Sequence, residues 1–194
     1  MPKLFYQGHG SFRLTSNDGC IIYVDPFAGE GYDLPADLIL VSHQHEDHNQ
    51  IDMCAKKPGC KIISNVELLQ GGKHNTIDID GIQIQAVEAY NKNHKVEECV
   101  GFIITIDGVK IYASGDTSTT DQMKTFADMN LDYAILCGDG VYNMDIKEAA
   151  ECAKLIKAKN NIIIHLKPLF DRDLAEQWDA PNKIIIEPNE EISL

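Results

Sequence analysis

Hydrophobic positions change rhythm along this chain. In the first half they form short runs broken by turn residues. Leu4 to Gln7 and Phe12 to Thr15 alternate, Asn17-Asp18-Gly19 signals a turn, and Cys20-Ile21-Ile22-Tyr23-Val24 is a strand rich in branched residues. Two more hairpins follow: Asp80-Gly81 separates Asn75–Ile79 from Ile82–Val87, and Asp107-Gly108 separates Val100–Ile106 from Val109–Ala113. An Asp-Gly pair suits a two-residue turn because both central positions need positive φ.

Elsewhere the apolar runs are continuous. Leu38-Ile39-Leu40-Val41, Tyr133-Ala134-Ile135-Leu136 and Ile162-Ile163-Ile164 read as strands covered on both faces. Helical patterns lie between them. Asp145 predicts the N-cap of a helix to about Ala158, with Glu148 placed for a capping box. Ile146, Ala149, Ala150, Ala153, Leu155 and Ile156 form its apolar stripe. Thr119 to Met129 is a second, less strongly patterned helical segment. Hairpins followed by alternating helix and strand imply an α/β sandwich, two sheets packed together with helices outside. No repeat or low-complexity linker interrupts the pattern, so residues 1–194 read as one domain.

Composition narrows the options. Hydrophobic residues make up 44% and charged residues 24%, as in ordinary globular chains. The 17 Lys+Arg stand against 30 Asp+Glu, a net charge of −13, which disfavours nonspecific binding to nucleic acid or an anionic membrane. A local basic pocket would still be compatible with a phosphate. The first residues have no long apolar core and no later stretch reaches membrane-spanning length, so a cytoplasmic location is expected. The six cysteines fit buried free thiols: Cys54 and Cys60 are too far apart for a zinc-ribbon pair, and Cys20, Cys99, Cys137 and Cys152 sit in or beside apolar runs.

The chemistry concentrates after Leu38–Val41, in Ser42-His43-Gln44-His45-Glu46-Asp47-His48. Imidazole with carboxylate suits zinc, iron, manganese or nickel better than calcium. His43 and His45, two apart, project to one side of an extended segment, while Asp47 and His48 fall where the chain turns. That spacing favours two adjacent metals over one closed tetrahedron. A solvated His-rich loop would not concentrate four ligand-type residues, and a structural zinc would lean on cysteine, absent here.

This run resembles the His-x-His-x-Asp-His signature of the metallo-β-lactamase superfamily, and the resemblance extends over almost the whole chain. Within that superfamily the chain is similar to the small hydrolases related to the L-ascorbate-6-phosphate lactonases, through Gly8-His9, Tyr23-Val24-Asp25-Pro26-Phe27, Ile111-Tyr112-Ala113-Ser114-Gly115-Asp116-Thr117 and Asn143-Met144-Asp145. The resemblance implies a four-layer αββα sandwich with two divalent ions, zinc in the first instance, at one edge of the paired sheets. It implies that Asp116 bridges the metals and that His165 binds the second. The third histidine of the first site has two candidates: Asn91 stands where that histidine usually lies, and His94 follows three residues later. If neither binds, the first site is weaker and a one-metal enzyme results.

Two cations about 3.5–4 Å apart can share a water and bring its pKa toward about 7, so hydrolysis by metal-bound hydroxide needs no separate protein nucleophile. Asp47 would orient that hydroxide as well as bind metal, and His9, after the first strand, is a second candidate catalytic residue. Asp25 is expected to accept the outer N–H of a metal-bound imidazole. Asn91, Asp139 and Asn143 are the candidates for substrate contact. Gly138-Asp139-Gly140 lacks the rest of a phosphate-binding loop, and no serine sits in a nucleophile elbow. His74 is expected in an exposed loop, and the loops Ala28–Pro35 and Ala89–Glu98 are expected to set specificity. The expectation is therefore a metal-dependent hydrolase of a small-molecule ester, lactone, amide or phosphoester. The alternatives are a phosphodiesterase or nuclease using the same site, and a non-enzymatic metal-binding or ligand-sensing module. Nothing in the sequence speaks to oligomeric state.

Overall fold

A computed structural model describes all 194 residues. In chain order the elements are β1 (Lys3–Gly8), β2 (Ser11–Thr15), β3 (Ile21–Val24), β4 (Ala36–Val41), β5 (Lys56–Ser64), the single-turn α1 (Asn65–Leu68), β6 (Leu69–Gln70), β7 (Lys73–His74), β8 (Thr76–Ile79) and β9 (Ile82–Glu88). There follow β10 (Val100–Ile106), β11 (Val109–Ala113), β12 (Tyr133–Cys137), α2 (Ile146–Ile156), β13 (Asn160–Ile164), α3 (Arg172–Gln177), β14 (Lys183–Ile184) and β15 (Glu191–Ser193). One sheet has the order β15-β1-β2-β3-β4-β5 and the other β14-β13-β12-β11-β10-β9-β8.

The two-residue period of the strands sorts side chains into layers. Leu4, Tyr6, Ile22, Val24, Leu38 and Leu40 of the first sheet meet Ile84, Phe102, Ile104, Ile111 and Ile135 of the second, forming the core between the sheets. Their neighbours face outward. Ile103, Tyr112, Ala134, Leu136 and Ile163 are covered by α2, by Met123 and Phe126, and by Trp178 at the end of α3. Truncating a side chain buried in the first of these cores, as in Phe102→Ala, should cost about 3–5 kcal/mol. Tyr23, Ile39 and Val41 face the other way, under Tyr32, Cys54 and a 3-10 turn over Ile51–Met53. The sandwich is thus αββα, with the layer outside the first sheet reduced to loops and that turn.

Local chemistry explains the connections. Asp80 and Gly81 have φ of 53° and 84°, and Asp107 and Gly108 have 51° and 81°. These turns set the registers Ile79↔Ile82 and Ile106↔Val109. Asp145 caps α2 through the backbone N–H groups of Lys147 and Glu148, but the expected capping box does not close. The Glu148 carboxylate instead accepts from the Thr119 N–H and hydroxyl, tying the preceding loop to the helix. The segment expected as helix over Thr119–Met129 is 3-10 from Asp121 to Met129. Met123, Phe126 and Met129 recur every three residues, so a three-per-turn helix aims all of them at the core.

β5 shows no apolar alternation because it is an exposed edge, and its lysines and Pro58 suit a strand that must not pair further. His74, expected in an exposed loop, is half-buried in β7, where the small β6–β7 ribbon holds it. All six cysteines are free; Cys54, Cys99, Cys137 and Cys152 are buried, whereas Cys20 and Cys60 are partly exposed. No helix is long and apolar enough to cross a membrane.

Candidate metal centre

Parallel pairing of β3 with β4, and of β11, β12 and β13 with one another, sends their C-terminal ends the same way. The residues just past those ends are Asp25, His43–His48, Asp116, Asp139 and His165. The β1–β2 turn adds His9, and the loop from β9 to β10 adds Asn91 and His94. His9, Asp25 and His165 all have left-handed backbones, with φ of 53°, 46° and 56°. Such conformations cost roughly 1–3 kcal/mol each and persist where surroundings over-determine them. Here the Tyr6 hydroxyl and the His165 N–H both donate to the His9 carbonyl, at 3.0 and 2.8 Å. Gly10 leaves room for the rings: a Cβ there would lie 2.9 Å from His48 Cε1 and 3.3 Å from His165 Cδ2.

Six of the seven histidines collect at this edge. Ligand atoms of His43, His45 and His94 lie within 4.8 Å of one another, as do those of His9, Asp47, His48 and His165. Asp116 stands between the groups. Its Oδ1 is 3.2 Å from His48 Nε2 and 3.3 Å from His165 Nε2, while Oδ2 is 3.4 Å from His94 Nε2.

Hydrogen bonds on the far side of each ring determine which nitrogen is bare. Asp25 can only accept. It takes the Ser42 N–H at 2.7 Å, the Ser42 hydroxyl at 2.6 Å and His48 Nδ1–H at 2.9 Å. With its proton given to Asp25, the Ser42 oxygen accepts from His43 Nδ1–H at 3.0 Å. One carboxylate therefore directs the Nε2 lone pairs of both His43 and His48 inward. Asn91 Oδ1 accepts from His94 Nδ1–H at 3.0 Å, so His94 points inward and Asn91 stands behind it. His165 Nδ1 approaches Asp139 Oδ2 at 3.2 Å along a bent line.

The inner atoms have no such partners. His48 Nε2, His165 Nε2 and Asp116 Oδ1 are buried and make no hydrogen bond. Lone pairs of nitrogen and carboxylate oxygen facing one another out of water repel unless a cation lies between them. The donor set of imidazole and carboxylate fits zinc, iron, manganese or nickel.

The electrostatics agree. Burial opposes charge on His48, yet Asp116 and Asp25 hold its pKa well above the ordinary histidine value. Asp116 is likewise opposed by burial but held far below the usual carboxylate range by His48 and His165. Burial, with His48 nearby, pushes His43 down to about 2. The His9 hydrogen bond leads in lowering Asp47, against partial burial. The edge favours positive charge at its centre and resists protonation at its flank.

A cleft of about 390 Å³ opens beside the second group, lined by His9, Phe27, Asp47, Val141, Tyr142, Lys167 and Pro168 among others. The loop Ala28–Pro35 does not reach it, because Tyr32 is buried against the outer face of the first sheet. The loops 139–142 and 167–168 line it instead. The three residues expected to touch substrate differ in setting. Asp139 lines the cleft, but its carboxylate is occupied by backbone N–H groups and by Asn143, and Asn91 and Asn143 spend their amides on each other. Ser42 and Gly10 carry no metal-type chemistry in the sequence, and their parts in the site follow from contacts alone.

A family model described as beta-lactamase superfamily domain matches residues 3–165. A UPF0173 metal-dependent hydrolase from Thermococcus kodakarensis is 30% identical over the full length of both chains. Among solved structures, a candidate metal-dependent hydrolase from Parabacteroides distasonis is 29% identical, with a TM-score of 0.80, covering 95% of this chain and 92% of that one. A metallo hydrolase from the archaeon Ignicoccus hospitalis, 24% identical, shares the fold with a TM-score of 0.76 over 98% of this chain and 97% of its own.

Proposed function

This chain belongs to the β-lactamase superfamily, and from that premise we propose that it is a metal-dependent hydrolase holding two divalent cations and cleaving a small ester, lactone, amide or phosphoester. The observation that carries the reading is the convergence of His48 Nε2, His165 Nε2 and Asp116 Oδ1, buried and unpartnered. In this reading His43, His45 and His94 hold one ion, Asp47, His48 and His165 the other, and Asp116 offers an oxygen to each. Divalent ions bound there would acidify a coordinated water and polarise the substrate oxygen.

The chain's own groups do the rest. Asp47 is half-buried beside the cleft and placed to orient the attacking water. His9 Nδ1 lies 3.1 Å from the Lys167 carbonyl, which can only accept, so this nitrogen carries a proton. Nε2 then bonds to Asp47 Oδ2 at 3.2 Å when the ring holds its second proton, and that proton is placed to pass to a leaving group. Phe27, Val141, Tyr142 and Pro168 form apolar walls, and Lys167 is the one cation lining the cleft. A small substrate with an apolar body suits it. The net charge of −13 argues against a nucleic acid, and the sequence motifs that resemble the L-ascorbate-6-phosphate lactonases make a lactone the first ester to try.

Metal analysis of the loaded protein, paired with assays on esters, lactones, amides and phosphodiesters, tests the reading. Two bound equivalents with hydrolysis of at least one class are expected. A His45→Ala variant that still binds two equivalents would refute the ligand set, and a fully loaded protein inactive on every class would favour a sensing role.

A further inference from the structure

The two histidine groups are joined behind the metal centre by side chains from two loops. Asn91 Oδ1 accepts from His94 Nδ1–H. Asn91 Nδ2 donates to Asn143 Oδ1 at 2.9 Å, and Asn143 Nδ2 donates to Asp139 Oδ2 at 2.7 Å. The same Asp139 oxygen faces His165 Nδ1 at 3.2 Å. We infer that Asn91, Asn143 and Asp139 are positioning residues: a directed hydrogen-bond relay that fixes the tautomer of His94 and sets the Asp139 carboxylate against His165 Nδ1, tying together the loops behind the two halves of the centre.

The direction of the relay is forced at both ends. An amide can in principle be turned about, but the backbone N–H groups of Asn93 and His94 both donate to Asn91 Oδ1, at 2.7 and 3.0 Å. That oxygen must therefore face His94, which leaves Nδ2 to face Asn143. At the other end Asp139 can only accept. Asn143 must then give its oxygen to Asn91 and its nitrogen to Asp139, as found. The Asn91 acceptor places the His94 proton on Nδ1, and the Asp139 carboxylate 3.2 Å from His165 Nδ1 favours the same form there; both rings then present Nε2 toward Asp116.

Asp139 is itself anchored. Its Oδ1 accepts from the N–H groups of Val141 and Tyr142, at 2.6 and 2.7 Å, so the carboxylate cannot rotate without undoing the turn after β12. Asn143 is buried and sits immediately before Met144 and the α2 cap Asp145, which fixes it to the helix. Asp25 serves His43 and His48 by a separate route. Each group thus has one imidazole on the relay and one on Asp25.

This deepens the two-cation reading and rests on it, but the tautomers can be read without any metal. The probe is protein labelled with nitrogen-15 in histidine, its ring nitrogens followed in metal-free form by proton–nitrogen correlation spectra and then titrated with zinc. The native protein should show Nδ1–H forms at His94 and His165. Asn143→Leu removes the middle of the relay and touches neither imidazole. With Asn91 Oδ1 and Asp139 Oδ1 still held by backbone N–H groups, it should leave the Nδ1–H forms in place but loosen the two loops behind His94 and His165, and so weaken both zinc steps roughly 10–100-fold.

Asp139→Asn is nearly isosteric and guards against a folding failure. With Oδ1 kept by the turn, it presents an N–H to His165, which should move to the Nε2–H form while His94 is unchanged. Unchanged zinc affinity in Asn143→Leu, or His165 keeping its Nδ1–H form in Asp139→Asn, overturns the relay. Native protein with the expected tautomers that binds fewer than two zinc ions would leave the relay standing and sink the two-cation reading instead.

Discussion

The group around His48 and the group around His45 flank the same carboxylate, yet His48 is held on both sides while His45 is left free on one. His48 is 1% exposed and lies between Asp25 and Asp116, at 2.9 and 3.2 Å. His45 is exposed, and its ring nitrogen meets only His43, at 3.0 Å. The difference follows from chain position. His48 returns beneath the β4 end toward Asp25, whereas His45 sits at the crest of the loop. Orienting a ligand before the ion arrives removes a cost of binding, so the group that contains His48 should bind more tightly and exchange more slowly.

The strongest way to break the contrast is to remove what both groups share. Asp116→Ala should abolish both metal steps and bring hydrolysis to baseline, measured by metal content and turnover; retention of one tight ion would show that Asp116 serves one group alone.

The contrast itself is tested by pairing His48→Ala with His45→Ala. The first strips a buried partner from Asp25 and Asp116 and should cost about 3–5 kcal/mol of stability as well as the tighter site. The second should lose only the weaker site and change stability by about 0.5 kcal/mol or less, as surface substitutions do. Chemical denaturation and zinc titration read both; equal destabilisation would erase the distinction.

Asp25→Asn sharpens it. The amide must turn its N–H toward a group that was donating, disturbing His48 directly and His43 through Ser42. Affinity should fall roughly 10–100-fold in both groups, and isothermal titration showing a loss confined to one would exclude the shared role.

The smallest effect concerns acid. Burial lowers His43 to about 2 and also lowers His94 and His74. In the unfolded chain all three titrate near about 6.5. A histidine lowered on folding contributes stability that is present above its unfolded pKa and is lost as pH falls below it. His48, raised on folding, acts oppositely: its contribution is full below about 6.5 and is lost as pH rises through its folded value. With three lowered against one raised, metal-free protein should lose stability below about pH 6.5, and His43→Gln should flatten that slope in melts at several pH values.

Much of the sandwich was legible because its cause is local. The Asp-Gly turns and the continuous apolar runs in β4, β12 and β13 could be read directly, as could the Asp145 cap. β5 was not legible, because an edge strand needs no apolar face. Nor was the bond from Glu148 to Thr119, since a glutamate at that position serves a capping box equally well until a neighbour competes for it. The compact run His43–His48 stood out by density of ligand types. Asn91 and His94 could not be separated by spacing, because both lie in one irregular loop.

Residue order alone settled the strand periods, the turn chemistry and the concentration of imidazoles after β4, each of which depends on neighbours a few positions apart. Folding settled which nitrogen of His43, His48 and His94 is bare, that Asp116 stands between two groups, and that Asn143 lies between histidines 71 positions apart (165 − 94). Those facts depend on packing two sheets so that distant strand ends meet within hydrogen-bonding distance, and a bond at that range has no local signature.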